Sequence, residues 1–280
     1  MTIQTQPIFA FIGAGNMSGS ILAGMLKQGV SPEQIIATNR SPEKQSALKA
    51  QYGITTELNN AQAIAKANVV ILGVKPQMMG DVLEELVTQG VDFADKLVIT
   101  VAAGLHCDFY TSRIGNVRFI RSMPNTPSMV GLGMAGLYNG TDRTTYPESQ
   151  IAADQAVAEQ IFNAVGQSVW LKEEAQIDQV AAVSGSGPAY FFLFMEAMMN
   201  KAKAFGFNEQ DATLLVKQTA LGACQMAMDS ADSVEQLRKN VTSPGGTTAA
   251  AIAEFERRQL RAIVEDALDA SIVRAQALSK

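Results

Sequence analysis

The chain has 280 residues, 47% of them hydrophobic and 18% charged, with a formal net charge of −5 at pH 7. This composition excludes disorder and supplies a core for one large or two ordinary domains. With a pI of about 5.1 and no basic block, nucleic acid is not an expected partner.

Two cysteines far apart in sequence, Cys107 and Cys224, support neither a disulfide framework nor a thiolate metal site. The single histidine, His106, rules out a multi-histidine site, so no metal is expected. His106 itself reads as a solvated residue near a helix start. The first cation is Lys27, so the apolar run at 8–12 lacks the charged flank of a signal peptide. Two long uncharged stretches, 122–141 and 179–195, are broken by proline or glycine, and neither reads as a membrane span. The expectation is a soluble, cytoplasmic protein with no membrane association.

In chain order, the run Phe9-Ala10-Phe11-Ile12 precedes a helix with Met17, Ile21, Leu22, Met25 and Leu26 on one stripe. A strand at 35–38 precedes a helix at 42–50, and Val69-Val70-Ile71-Leu72 precedes a helix at 76–87, where Pro76 suits the first turn. Strands at 97–101 and 117–123 complete the series. Short apolar strands alternating with helices indicate a parallel sheet covered on both faces. From about Glu173 onward the pattern turns helical. Leu260, Ile263, Val264, Ala267, Leu268 and Ile272 follow helical spacing, and Met195, Met198, Met199, Met226 and Met228 suit core or subunit contacts. These helices are too apolar for a small domain alone, which predicts a homodimer through this half. The domain boundary is placed near Ser168.

Gly13-Ala14-Gly15-Asn16-Met17-Ser18 fits G-x-G-x-x-G with serine at the third glycine. It leaves a strand and opens a helix, where glycines permit close approach of a pyrophosphate to free amides and the positive helix end. After the second strand comes Asn39-Arg40-Ser41 rather than a carboxylate. That favours a ribose 2′-phosphate, hence NADPH over NADH, although NADH remains an alternative donor. Gly73-Val74-Lys75-Pro76 ends the next strand in a cation near the expected crevice. Asn125, between Pro124 and Pro127, reads either as a substrate contact or as part of a structural turn.

Two glycine loops stand in the helical half. Ser184-Gly185-Ser186-Gly187-Pro188 precedes an apolar helix at 189–205. Thr242-Ser243-Pro244-Gly245-Gly246-Thr247-Thr248 precedes a helix beginning near Ala249. Caps explain the serines, threonines and prolines. Gly245-Gly246 suits a backbone cradle for a carboxylate, with a plain helix cap as the other reading.

Taken together, these motifs resemble the pyrroline-5-carboxylate reductase family. The resemblance rests on Phe11 to Met17, Val74-Lys75-Pro76, Met123 to Pro127, Ser184 to Tyr190 and Val241 to Thr248, and it spans essentially the whole chain. It implies an α/β fold: a Rossmann-type doubly wound, mostly parallel sheet over residues 1–168, then an all-α dimerisation domain over 169–280, with dimers able to assemble into decamers. It implies reduction of 1-pyrroline-5-carboxylate to L-proline. The substrate carboxylate would lie on amides around Ser243, Gly245, Gly246, Thr247 and Thr248, with the Thr248 hydroxyl at the ring nitrogen. By the same matching, Gly13 to Met17, Asn39 to Ser41, Asn60, Gly73 to Pro76, Ala102, Ala103 and Asn240 bind the cofactor.

A related imine reductase acting on a different, six-membered cyclic substrate is an alternative, and two other classes compete. A β-hydroxyacid dehydrogenase would place a lysine where this chain has Phe191, and none occurs until Lys201. A dinucleotide-binding sensor would use the first half and leave the Gly245-Gly246 loop without a purpose.

Overall fold

In the computed structural model, which describes residues 6–278, the alternation of strand and helix is realised in full. The chain runs β1 (Phe9–Ile12), α1 (Asn16–Lys27), β2 (Ile35–Thr38), α2 (Pro42–Tyr52), β3 (Thr55–Glu57), α3 (Asn60–Lys66), β4 (Val69–Leu72) and α4 (Pro76–Thr88). It continues through β5 (Leu97–Thr100), α5 (Cys107–Ile114), β6 (Arg118–Pro124), β7 (Gly133–Asn139), α6 (Glu148–Asn163), β8 (Gly166–Trp170) and α7 (Gln176–Val180), then a π-helical turn at Ala181–Gly185.

All eight strands form one sheet in the order β3-β2-β1-β4-β5-β6-β7-β8. Every pairing is parallel except β6 with β7. Every residue of β1, β2, β4 and β5 is buried, because helices cover both faces. Phe9 and Phe11 join one core with Ile21, Leu22, Ile161 and Phe162. Ala10 and Ile12 face the other, with Leu83, Val98, Tyr110 and Phe119. Since β1 lies between β2 and β4, the winding reverses there. A crevice opens at such a switch point, beyond the carboxyl ends of the strands.

Three strands were not legible in the sequence. β3 is a three-residue edge, partly exposed. β7 carries Gly133 and Gly136, and β8 alternates partly exposed and exposed residues, so neither shows an apolar run. Gly136 is there for packing: a Cβ would lie 2.9 Å from Val180 Cγ2 of α7. Ser168 lies inside β8.

The chain divides into two compact units. One comprises residues up to 186 together with those from 271 on, and the other residues 187–270. The second holds α8 (Gly187–Ala204), α9 (Glu209–Asp229), α10 (Val234–Asn240), α11 (Thr247–Arg257) and the start of α12 (Leu260–Leu278). Only Ala212 and Val216 of its hydrophobic residues are buried. Phe191, Phe192, Leu193, Leu214, Met226 and Met228 are exposed in the single chain. A helix apolar all round is built to be covered, so these side chains do not fill a core of their own chain.

Candidate active site

The turn after β1 is fixed by close approach. Gly13 has φ +86°, and a Cβ there would lie 2.7 Å from Val74 Cγ1 and 2.9 Å from Val74 N. The loop is latched to β2, since Ala14 N donates to Thr38 O at 2.9 Å and Gly13 N to Thr38 Oγ1 at 3.2 Å. Gly15 precedes α1 with no side-chain cap, and nothing lies within 4 Å of where its Cβ would be. The first amides of α1 therefore face open space, which suits a phosphate group. Asn16 is exposed, and Met17 packs against the core. Ser18 fills the room a third glycine would leave, and Gly73 yields to it: a Cβ on Gly73 would lie 2.0 Å from Ser18 Oγ.

Gly13, Gly15, Asn39, Arg40, Asn60, Gly73, Val74 and Lys75 line one cavity of about 660 Å³. The exposed Arg40 guanidinium reaches Met78 Sδ at 3.0 Å. Sequence reasoning missed the opposite wall, where Met78, Asp81 and Glu85 of α4 complete the cavity. Two carboxylates thus stand against Arg40 and Lys75, a consequence of helical spacing on α4 that no motif announces. Asn39 is bound within the loop, with Nδ2 donating to Ala14 O at 3.1 Å and Oδ1 accepting from Ser41 N at 3.1 Å. Ser41 Oγ caps α2 by accepting from Lys44 N, and it does not line the cavity.

Pro76 and Ala103 line a second cavity of about 420 Å³, with Gln77, Leu105, Met123 and Asp178. Lys75 borders the first cavity and Pro76 the second, so the two flank the amino end of α4. Ala102 is buried behind Ala103, its N–H donating to Thr100 Oγ1 at 3.2 Å.

Beside the second cavity lies a buried ion cluster that the sequence did not reveal. Arg121 is fully enclosed, with Nη1 2.8 Å from Glu174 Oε1 and Nη2 3.4 Å from Asp178 Oδ1. Arg121 Nη1 also lies 3.2 Å from His106 Nδ1. His106 is therefore half in water and half tied to the cluster. Glu174 Oε1 further accepts the Cys107 N–H at 2.7 Å, closing the start of α5. Burial pushes the Glu174 carboxyl up, but the Cys107 N–H and the Arg121 guanidinium outweigh it and hold the pKa below the usual range. Burial, reinforced by Glu174, drives the Cys107 thiol far above its ordinary value. The available signal was Arg121 itself, a cation in the middle of the buried strand β6; its partners lie too far along the chain to pair by spacing.

Asn125 is buried and fully engaged. Its Nδ2 donates to Ser184 O at 3.1 Å and Ser184 Oγ at 3.0 Å, while Oδ1 accepts from Met134 N at 2.8 Å. It ties the end of β6 to β7 and to the π-helical turn. Gly185 serves packing, since a Cβ would lie 2.7 Å from Met123 Cε.

In the helical unit, α11 begins at Thr247, two residues before the expected Ala249, with Gly246 at its cap. Gly245 has φ +73°, and a Cβ on Gly246 would lie 2.6 Å from Ser243 Oγ. No side chain caps α11, whereas α2, α9 and α10 are capped by Ser41, Asn208 and Ser233. The first-turn amides of α11 and the exposed Thr247 and Thr248 hydroxyls are thus available to an outside acceptor. Asn240 ends α10, accepting from Gln236 Nε2 at 2.7 Å and donating to Asp232 Oδ2 at 3.3 Å. Among the described residues, no His, Cys, Asp or Glu side chains group to hold a metal ion, and no helix is long and apolar enough to cross a membrane.

Two outcomes follow from this geometry. Gly73→Ala is expected to cost about 1–3 kcal/mol in urea unfolding through overpacking against Ser18. Adding Ser18→Gly should recover part of that, whereas strictly additive losses would show that the two residues do not share the space. Because the Glu174 carboxyl sits below its unfolded value of about 4.3, its stabilisation is present above that pH and fades as pH falls through the folded value. Between pH 6 and pH 3, Glu174→Gln should therefore lose less stability than the parent; equal loss would contradict the pairing.

Comparison with known proteins agrees with this architecture. Residues 8–104 match the family model "NADP oxidoreductase coenzyme F420-dependent", and residues 174–278 match "Pyrroline-5-carboxylate reductase dimerisation". The pyrroline-5-carboxylate reductase of Vibrio alginolyticus is 44% identical over 97% of this chain and 97% of its own length. The solved structure of a pyrroline-5-carboxylate reductase from Coxiella burnetii superposes with a TM-score of 0.90 at 41% identity, covering 99% of this chain and 100% of that one. A Plasmodium falciparum pyrroline carboxylate reductase, solved with NADP bound, shares the fold with a TM-score of 0.82 at 24% identity, covering 98% of this chain and 99% of that one. The dimerisation model spans the helices that lack a core of their own, which supports self-association of the chain. At this identity and coverage, the chain belongs to the pyrroline-5-carboxylate reductase family of nicotinamide-dependent oxidoreductases.

Proposed function

We propose that the protein reduces 1-pyrroline-5-carboxylate to L-proline with NADPH as preferred donor and NADH as a poorer one, the last step of proline biosynthesis. The observation that carries this reading is the pair of glycine-capped helix ends, α1 and α11, both without a side-chain cap. One suits a pyrophosphate and the other a carboxylate.

The residues present fit the cofactor. Gly15 opens a helix with no side-chain cap, Gly13 and Gly73 keep the turn close, and Arg40, held only by a weak contact to Met78 Sδ, can donate to a 2′-phosphate. Asn60, Val74 and Lys75 border the same cavity, and Pro76 and Ala103 the next, with Ala102 behind. Asn39 and Ser41 hold the loop that presents Arg40. Asp81 and Glu85 counter part of the positive charge, so the preference for NADPH rests on Arg40 alone rather than on a basic patch.

When bound, the nicotinamide would supply a hydride to the imine carbon, C2 of the pyrroline ring. The electron pair of the C=N bond passes to nitrogen, which already carries a proton in the iminium form. That cation is a strong electrophile, so positioning and one hydrogen-bond donor suffice. The amides of Thr247 and Thr248 hold the carboxylate, while Gly246, whose N–H donates to Ser243 O at 3.1 Å, shapes the turn with Gly245 and Ser243. The Thr248 hydroxyl orients the nitrogen and relays its proton. Asn125 serves by holding the Ser184 turn, and Asn240 by securing the end of α10 through Gln236 and Asp232. A homodimer through the helical unit, able to build a decamer, covers the exposed apolar helices, and the enzyme works in the cytoplasm.

The deciding measurement is NADPH consumption with racemic 1-pyrroline-5-carboxylate beside an NADH control. Rapid formation of proline is expected. Arg40→Ala should lower the NADPH-to-NADH ratio of kcat/KM about tenfold, one charge-assisted contact's worth. Thr248→Ala should lower kcat/KM by about 10- to 100-fold. Tight NADPH binding without turnover would reject the substrate, and an unchanged ratio would release Arg40 from its role.

A further inference from the structure

The ion cluster beside the second cavity has no part in the reduction as outlined. Its charges do not balance, since one guanidinium, that of Arg121, faces two carboxylates. The sharing is also unequal. Glu174 takes the short contact at 2.8 Å and accepts the Cys107 N–H as well, whereas Asp178 is reached only at 3.4 Å. His106 leans on Glu174, 3.5 Å away, and on Arg121, not on Asp178. Arg121 Nε is enclosed without a partner, so neither carboxylate satisfies that edge of the guanidinium. Asp178 is thus the less compensated carboxylate, and it borders the cavity at the carboxyl ends of β4 to β6, beside Pro76, Ala103 and Met123.

We propose that Asp178 is a charge-stabilising residue of the reaction, favouring the oxidised, positively charged nicotinamide over the neutral reduced form, with Arg121 and Glu174 as its positioning residues. The inference rests on the cofactor reading above. In a dinucleotide crossing the amino end of α4, the end away from Arg40 falls in the second cavity. Hydride transfer removes a positive charge from the substrate iminium and creates one on the ring. A carboxylate fixed in a half-enclosed wall favours that cation more strongly than it would in water, and needs no reorganisation as the charge appears. Glu174 has its own part. By engaging Arg121 more closely, it prevents the guanidinium from neutralising Asp178.

The test is the affinity of the full-length protein for NADP⁺ and NADPH separately, by calorimetry and by nicotinamide fluorescence. Asp178→Asn keeps the shape and the contact to Arg121, and circular dichroism checks that it folds. Its Kd for NADP⁺ should rise about tenfold while that for NADPH changes less than about twofold, the difference being one charge interaction. Asp178→Glu should restore part of the discrimination. Glu174→Gln frees Arg121 toward Asp178 and should shift the ratio the same way by a smaller factor. In turnover, Asp178→Asn should lower kcat with little change in KM for NADPH. An equal rise of both Kd values, or an unchanged ratio, would falsify the proposal and leave the cluster a structural one. If the parent protein bound neither form, the cofactor reading itself would fall, and this inference with it.

Discussion

Everything in the sheet unit depends on how closely two neighbouring strand-to-helix turns approach. β1 and β4 lie side by side and parallel, so the turns that leave them meet at Gly13, Ser18, Gly73 and Val74. Gly13 has no room for a Cβ against Val74, and Gly73 has none against Ser18. Close packing of this kind is intolerant of even one added carbon. It brings the open amino end of α1 and the β4–α4 turn to one crevice, and it aligns β2 so that Arg40 borders the same space.

Several helices begin under a side-chain cap and others do not, and among the uncapped starts two have glycine at the cap. Where the chain needs only a stable start, it uses Ser41, Asn59, Asn208 or Ser233, each of which satisfies an amide of its own helix. At α1 and α11 it uses Gly15 and Gly246, which have no side chain to accept a first-turn amide. A bare helix end costs stability in an isolated chain and is useful where an anion completes it. The start of α5 is a third kind, closed from a distance by Glu174, and that contact ties α5 to the ion cluster around Arg121.

The helical unit follows a different logic. With Ala212 and Val216 as its only buried hydrophobic residues, it lacks the interior that would stabilise it alone. Phe194 and Phe255 pack with ring centroids 5.9 Å apart, while Phe191, Phe192 and Leu193 remain exposed. Covering such helices by self-association joins stability to assembly. The apolar, methionine-rich composition of this half therefore reads as an interface rather than as a core.

The sequence by itself determined the alternating strands and helices, the nucleotide-binding turn and the two glycine loops, because each is a local pattern: an apolar run, a glycine spacing, a proline at a helix start. It determined the family through Val241 to Thr248 and Ser184 to Tyr190 for the same reason. Tertiary structure alone decided what depends on partners distant in the chain. β3, β7 and β8 carry no apolar run and exist because their backbones pair with an established sheet. Asn125 is engaged by Ser184 and Met134. Asp81 and Glu85 line the same cavity as Arg40 only because α4 packs beside β4. Arg121 was visible as a cation in the middle of β6, but its partners Glu174 and Asp178 reach it only after the chain has crossed β7, α6 and β8. Spacing conveys periodicity within an element; charge pairing across the sheet depends on where the chain returns, which no local pattern encodes.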